Sequence, residues 1–209
     1  TEAESNFLQA LKHMKQSGDE TGQAYVLGNL GNLCFQSRRL DKAEEYYGKA
    51  LTYMEKVNDV KGIESSLGNL GSVLFYKGNL DEAEEIYKKA LKLLEEASDS
   101  QGQSIYNENL GNVHLKKDDL GAAEDYFNRA KTLLDLDKNQ DRIKQVDDKL
   151  VSLQKHPKYV EGKEKSLLSE VESLEKVENK KEILSKYQEL EELYYQGGNI
   201  NKAADTISK

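Results

Sequence analysis

A chain of 209 residues with a net charge of −8, 33% charged side chains and no extended Lys/Arg run repels a phosphate backbone, which sets nucleic acid aside as a partner. No apolar stretch approaches the roughly 20 residues that span a bilayer, and no signal-peptide pattern opens the sequence, so no membrane partner is expected. Cys34 stands alone, which forbids an internal disulfide and makes a soluble cytoplasmic protein the expectation.

The first element begins at once. Phe7, Ala10, Leu11 and Met14 recur forty residues later as Tyr47, Ala50, Leu51 and Met54, so residues 1–18 are predicted to be one helix of a repeating unit, helix B, without the helix A that would precede it. Thr1, standing where an initiator methionine would be, makes the start read as a cut edge or a processed terminus. The same forty-residue step carries Leu30 to Leu70, Leu110, Leu150 and Leu190, and Gly31 to Gly71 and Gly111. A fixed period of this size marks stacked helical units, each of which buries its apolar face only against its neighbours.

Within residues 19–58, Tyr25, Val26, Leu27, Leu30, Leu33 and Cys34 follow a three-to-four-residue rhythm and predict helix A. Arg38-Arg39 interrupts it. Asp41 and Glu44 have the spacing of a helix start, and Ala43, Tyr47, Ala50, Leu51 and Met54 form the inward stripe of helix B. Asn58-Asp59 closes the unit and is expected to cap the next helix A. Residues 59–98 repeat the pattern with a turn at Gly78-Asn79 and a start at Asp81 and Glu84, and residues 99–138 repeat it with a turn at 117–119. Glycines inside helix A each cost about 1 kcal/mol relative to Ala and need a steric reason. Gly31, Gly71 and Gly111 are expected at close helix contacts, with Ala43, Ala83 and Ala123 opposite, whereas Gly28 and Gly68 are expected to hollow the other side.

Residues 139–178 keep the period through Leu150, Leu153, Val160, Leu167, Val171 and Leu174. They replace the small positions with Val151, Lys163 and Glu170, a degenerate unit expected to pack loosely or at an altered angle. Pro157 suits a helix boundary. Residues 179–209 restart the pattern at Tyr187, Leu190, Leu193, Tyr194 and Gly197-Gly198-Asn199-Ile200 and stop early in helix B.

Leu30-Gly31, Ala43, Tyr47 and Ala50, with their copies Leu70-Gly71, Ala83, Tyr87, Ala90 and Leu110-Gly111, Ala123, Phe127, Ala130, resemble the tetratricopeptide repeat in identity and spacing. Two departures are evident: the period is forty where the family's is roughly thirty-four, and the frequent proline after helix B is missing. The Gly31-to-Ala50 spacing is conventional, so the extra residues are expected at the end of helix B and in the link beyond it. The Gly-Asn-Leu-Gly-Asn run at 28–32, after Asp19 and Gly22, is most similar to the long repeats of the Pins/LGN mitotic adaptors, with kinesin light chains a looser likeness.

The resemblance implies an all-α solenoid, a right-handed superhelix of antiparallel helix pairs whose A helices line a concave groove for a protein or peptide ligand. By that register Tyr25, Asn29, Asn32 and Gln36, then Asn69, Ser72 and Tyr76, then Asn109, Asn112 and Lys116 face the groove. Recurring asparagine offers both donors and acceptors and suggests a ladder for a bound segment, with bridging of neighbouring helices as the structural alternative. A basic carboxylate clamp of the chaperone-binding kind is disfavoured because Tyr25, Gly28, Ser65 and Gly68 occupy its positions. His13, His114 and His156 fall in different units with no helical partner, so no metal site, cofactor or nucleophile–base pair is expected, and the chain is read as a non-catalytic scaffold. Homo-association through the exposed terminal repeats, or service as the regulatory array of a larger multidomain protein, are the competing expectations.

Overall fold

The computed structural model describes residues 2–134, 138–175, 179–199, 202–203 and 206. Among them the chain forms ten α-helices and no strand: α1 (Glu2–Ser17), α2 (Glu20–Gln36), α3 (Leu40–Lys56), α4 (Val60–Lys77), α5 (Leu80–Glu96), α6 (Ser100–Lys116), α7 (Leu120–Thr132), α8 (Gln140–Gln154), α9 (Pro157–Glu175) and α10 (Lys180–Gln196). The even-numbered helices are A helices and the odd-numbered ones B helices, and up to α8 each packs chiefly on its neighbours in sequence. This is an all-α helical repeat. The restart at Ile200 lies outside the described residues, as does Thr1.

The forty-residue period has a backbone cause. Left-handed residues stand at Gly18, Arg38, Asn58, Gly78, Ser98 and Asp118, twenty apart, and again at Gly198. At each, two backbone bonds close the preceding helix, as when Arg39 N–H donates to the Cys34 carbonyl at 2.8 Å and Arg38 N–H to that of Phe35 at 3.0 Å. Helices A and B are therefore nearly equal in length, and both turns of a unit span three residues or fewer, with Val57–Asp59 no longer than Ser37–Arg39. The expectation of a lengthened link is corrected: the additional residues lie within the helices, at the start of helix A as well as the end of helix B.

Side-chain caps start the first three A helices and are uneven elsewhere: the B helix α7 is capped by Asp119, which accepts from Ala122 N–H at 3.2 Å, and the A helix α8 has no side-chain cap. Asp19, Asp59 and Asp99 accept hydrogen bonds from the backbone N–H of Gly22, Gly62 and Gly102 at 2.8, 3.0 and 3.0 Å, so the link aspartates start the A helices. Helices α3 and α5 begin at Leu40 and Leu80 with no side-chain cap. Asp41 and Glu44 are not capping residues; both turn outward to Lys77 of the next unit, at 2.6 and 2.7 Å.

The core is a column. Ala43, Tyr47, Ala50 and Met54 are buried on α3, and their counterparts Ala83, Tyr87, Ala90 and Leu94 on α5. The counterpart of the repeated glycine is the aromatic ring and not the alanine. A Cβ on Gly31 would stand 2.5 Å from Tyr47 Cε1, on Gly71 2.5 Å from Tyr87 Cε1, and on Gly111 2.6 Å from Phe127 Cδ1. Glycine is required there because the ring atoms occupy the place a side chain would take.

The rhythm breaks after α7, which ends at Thr132. Pro157 then starts α9 in the first-turn position where its missing N–H costs nothing. No residue in the left-handed conformation separates α8 from α9, and the two approach each other far less than the helices of the preceding units do. Val146, Leu150, Leu153, Tyr159, Leu167, Leu190, Leu193 and Tyr194 still join Phe127 in one cluster, so the column continues through this stretch. No helix among the described residues is long and apolar enough to cross a membrane.

Candidate functional site

The A helices hold the predicted residues on one face, and their hydrogen bonds sort them. Tyr47, laid across Gly31, extends its hydroxyl to donate to Asn32 Oδ1 at 2.6 Å. Tyr87 repeats this with Ser72 Oγ at 3.2 Å, and Ser72 in turn donates to the Gly68 carbonyl at 2.9 Å. Phe127 has no hydroxyl, and Asn112 instead accepts from Lys149 Nζ at 3.3 Å. These positions brace helix A against its neighbours. Burial pushes the Tyr47 phenol up to about 12, so it stays a donor throughout the physiological range.

Asn29, Asn69 and Asn109 differ. Asn29 is exposed, the other two are half-buried, and none hydrogen-bonds to the described chain. Each leaves a full amide open at forty-residue intervals. Tyr25, 56% exposed, donates to Asp59 Oδ2 at 3.3 Å, and Gln36 is exposed. Tyr76, 59% exposed, stands edge-on between Phe35 and Phe75, with ring centroids 5.4 and 5.7 Å away. Lys116 lies over the Phe75 ring at 4.7 Å and donates to the Phe75 carbonyl at 3.0 Å.

The two candidate hollows do not match. A Cβ on Gly28 would meet nothing within 4 Å, so that face is open. Gly68 is filled: the Tyr106 hydroxyl occupies the place of its missing side chain, which corrects the expectation of a second hollow. Tyr106 is buried and donates to the backbone carbonyl and the carboxylate of Glu64 at 3.1 and 2.5 Å. Burial, reinforced by that carboxylate, holds its phenol well above the ordinary tyrosine range. The sequence carried a signal for this, since Tyr106 stands one period after Ser66, where a small residue had sufficed.

A second periodic set includes Glu44 and Glu84, whose spacing alone reads as a helix start. Glu4, Glu44, Glu84, Glu124 and Glu164 also stand forty apart, and each B-helix glutamate grips a cation further along the array. The pairs are Glu4–Arg39 at 2.8 Å, Glu44–Lys77 at 2.7 Å, Glu84–Lys117 at 2.8 Å, Glu124–Lys163 at 2.8 Å and Glu164–Lys202 at 2.7 Å. These glutamates tie each B helix to a later part of the array, Glu44 to the next helix and Glu124 past α8 to α9, and are part of the scaffold. His114 also belongs to it, stacked on Tyr126 at 5.2 Å with Nδ1 3.2 Å from Asp119 Oδ2. Among the described residues no group of three or more His, Cys, Asp or Glu is arranged to hold a metal ion.

A tetratricopeptide repeat family model matches residues 1–56 and 62–135, well over half of the sequence. The chain belongs to the tetratricopeptide repeat family. Similar solved structures extend the fold over nearly all of this tetratricopeptide array. BtubC (BKLC) from P. vanneervenii is 16% identical with a TM-score of 0.64, covering 99% of this chain and 87% of its own. The apo form of RapI is 12% identical with a TM-score of 0.67, covering 97% and 86%. The nearly identical TPR-like repeats of a candidate kinesin light chain from Podosopora anserina are 14% identical with a TM-score of 0.57, covering 87% and 90%. At these identities the likeness is one of fold. No curated protein matches the sequence significantly.

Proposed function

We propose that this tetratricopeptide array is a non-catalytic scaffold that binds a segment of another protein in a groove along its A helices. The observation that carries the reading is the unbonded amides of Asn29, Asn69 and Asn109, repeated at the period of the fold while the Asn32 carbonyl and the Ser72 hydroxyl accept from the helix B tyrosines. An asparagine is a poor helix former, and three of them on one face, unbonded within the chain, supply donors and acceptors at regular spacing for a ligand's peptide groups. Gly28 adds open space beside the first, and Tyr25 and Tyr76 flank the row with exposed rings suited to interface contacts. The long period with Gly-Asn-Leu-Gly-Asn at 28–32 supports an adaptor of the Pins/LGN kind. A cytoplasmic setting fits the lone, buried Cys34, which no disulfide partner accompanies.

The test is a pull-down with the intact chain and with Asn29, Asn69 and Asn109 all changed to Ala, read by mass spectrometry and followed by affinity measurement on the partner found. Each lost hydrogen bond is worth about 0.5 to 1.5 kcal/mol, so the triple change should weaken binding tenfold or more while the melting temperature holds. Unchanged affinity in a folded triple variant would remove the ladder. End-to-end association is the competing reading, favoured by Leu8, 45% exposed on α1. It predicts self-association in sedimentation that Leu8→Glu abolishes and the Asn changes leave alone.

A further inference from the structure

Residues 139–178 hold their two helices apart where the preceding units press them together. In those units the rings of Tyr47, Tyr87 and Phe127 fill the places of the side chains that Gly31, Gly71 and Gly111 lack. One period after Gly111 stands Val151, and it is 46% exposed, so α9 leaves that face of α8 uncovered. The α9 positions in register with the buried Ala123 and Ala130 are Lys163 and Glu170, and both turn elsewhere: Lys163 to Glu124 of α7 at 2.8 Å, Glu170 to Lys186 of α10 at 2.9 Å. The link is also closed by one bond fewer. Pro157 has no N–H to make the bond that Arg39 donates to the Cys34 carbonyl. Helix α8 stays with the preceding array through Glu108, bonded to Lys149 and Arg142 at 2.5 and 3.3 Å, and through Asp147, bonded to Lys131 at 2.6 Å. Helix α9 packs chiefly on α10.

We propose that α9 and α10 swing as one body about Lys155-His156, and that the Glu124 carboxylate is the latch that fixes the observed angle. In the earlier units Glu44 and Glu84 bond Lys77 and Lys117 at the ends of α4 and α6, and the residue in that register at the start of α9 is the uncharged Pro157. Glu124 is thereby free to reach along α9, where Oε1 accepts from the Tyr159 hydroxyl at 2.5 Å and Oε2 pairs with Lys163. Lys158 and Asp118 add a pair at the surface. Tyr159 and Leu167 also meet the apolar cluster around Phe127, but apolar contact has no directional preference, so it holds the bodies together without setting their angle. Two bonds to one carboxylate set it. Opening the latch returns that carboxylate, the phenol and the ammonium to water and leaves the packing inside each body intact, which makes it a local opening and not an unfolding. The swing moves α10 relative to α2, α4 and α6, which remain one rigid length of the array.

The experiment is double electron–electron resonance on the full chain in a Cys34→Ala background, with nitroxides on cysteines introduced at exposed positions. One pair, Lys92→Cys on α5 with Gln188→Cys on α10, spans the link, and a control pair, Lys12→Cys with Lys92→Cys, stays within the first body. The expected result is one distance for each pair while the latch is intact, and a second distance for the spanning pair alone once Glu124→Ala opens it. Tyr159→Phe combined with Lys163→Met removes both partners of the carboxylate while keeping their apolar bulk, and should give the same second distance. This variant decides the matter if Glu124→Ala loses helicity in circular dichroism. A single unchanged distance for the spanning pair in a fully helical variant overturns the swing. Several distances before the latch is touched, unaltered by either variant, overturn Glu124 as the latch. A second distance in the control pair as well marks general loosening and overturns the division into two bodies.

Discussion

Gly28 and Gly31 share a helix, lie three residues apart and should answer the same substitution with opposite signs. An alanine at 28 adds a methyl to open space, since nothing lies within 4 Å of that Cβ, and gains the helix preference of Ala over Gly, about 1 kcal/mol. An alanine at 31 gains the same preference but sets its methyl 2.5 Å from Cε1 and 2.6 Å from Cδ1 of Tyr47, a ring only 2% exposed. The ring cannot retreat into a packed column without cost. Overpacking of this kind costs roughly 1 to 3 kcal/mol, and a displaced Tyr47 also loses its 2.6 Å bond to Asn32, worth about 1 kcal/mol. Gly28→Ala should therefore stabilise by about 1 kcal/mol, and Gly31→Ala should destabilise by roughly 1 to 3 kcal/mol. Urea denaturation followed by circular dichroism gives the global comparison, and hydrogen exchange in α2 gives the local one, because repeat arrays need not unfold as one unit. A stabilising Gly31→Ala, or a Gly28→Ala that destabilises, would refute the assignment of the repeated glycine to the ring contact.

Three further outcomes are expected. Against the desolvation that burial imposes, Lys117 and Lys88 hold the Glu84 carboxyl down to about 2, below its unfolded value. Its contribution is thus complete above about pH 4.5 and lost as the pH falls toward 2; acid titration of stability should be shallower in Glu84→Gln, and identical curves would remove the ion pair from the account. Arg38 and Ser98 hold φ of 58° and 55°, so Arg38→Gly and Ser98→Gly should each stabilise by up to about 1 kcal/mol in thermal melts, unless the turns are not strained. Amides of α8 and α9 should exchange faster than those of α4 and α5, because these two helices support each other least; slower exchange there would contradict the packing.

The period and the helix type were legible because each depends on spacing along one helix, and the same spacing defines the proposed groove positions. Leu30, Gly31 and Tyr47 recur in register, and a helix converts that recurrence into a stripe. What spacing does not show is which side chain crosses from one helix to another. Gly31 was assigned Ala43 as its counterpart, although the longer reach of Tyr47 fills the gap first. Asp41 and Glu44 have the interval of a helix start, yet Lys77, thirty-six and thirty-three residues on, outcompetes the backbone for them. Asn32 and Asn29 are indistinguishable in sequence, and only the hydroxyl arriving from α3 separates the braced amide from the open one.

The glutamate–cation contacts and the evenly spaced left-handed turns together make the units interchangeable. If residues 59–98 were excised, Glu44 would face Lys117 in place of Lys77, Met54 would meet Gly102 in place of Gly62, and Asn58 would hand the chain to Asp99, a cap of the same kind as Asp59. A duplicated unit would find equally compatible neighbours on both sides. The number of units is thereby free to change by gene duplication or loss without a new interface having to be invented, and the length of the A-helix face becomes a heritable variable separate from its chemistry.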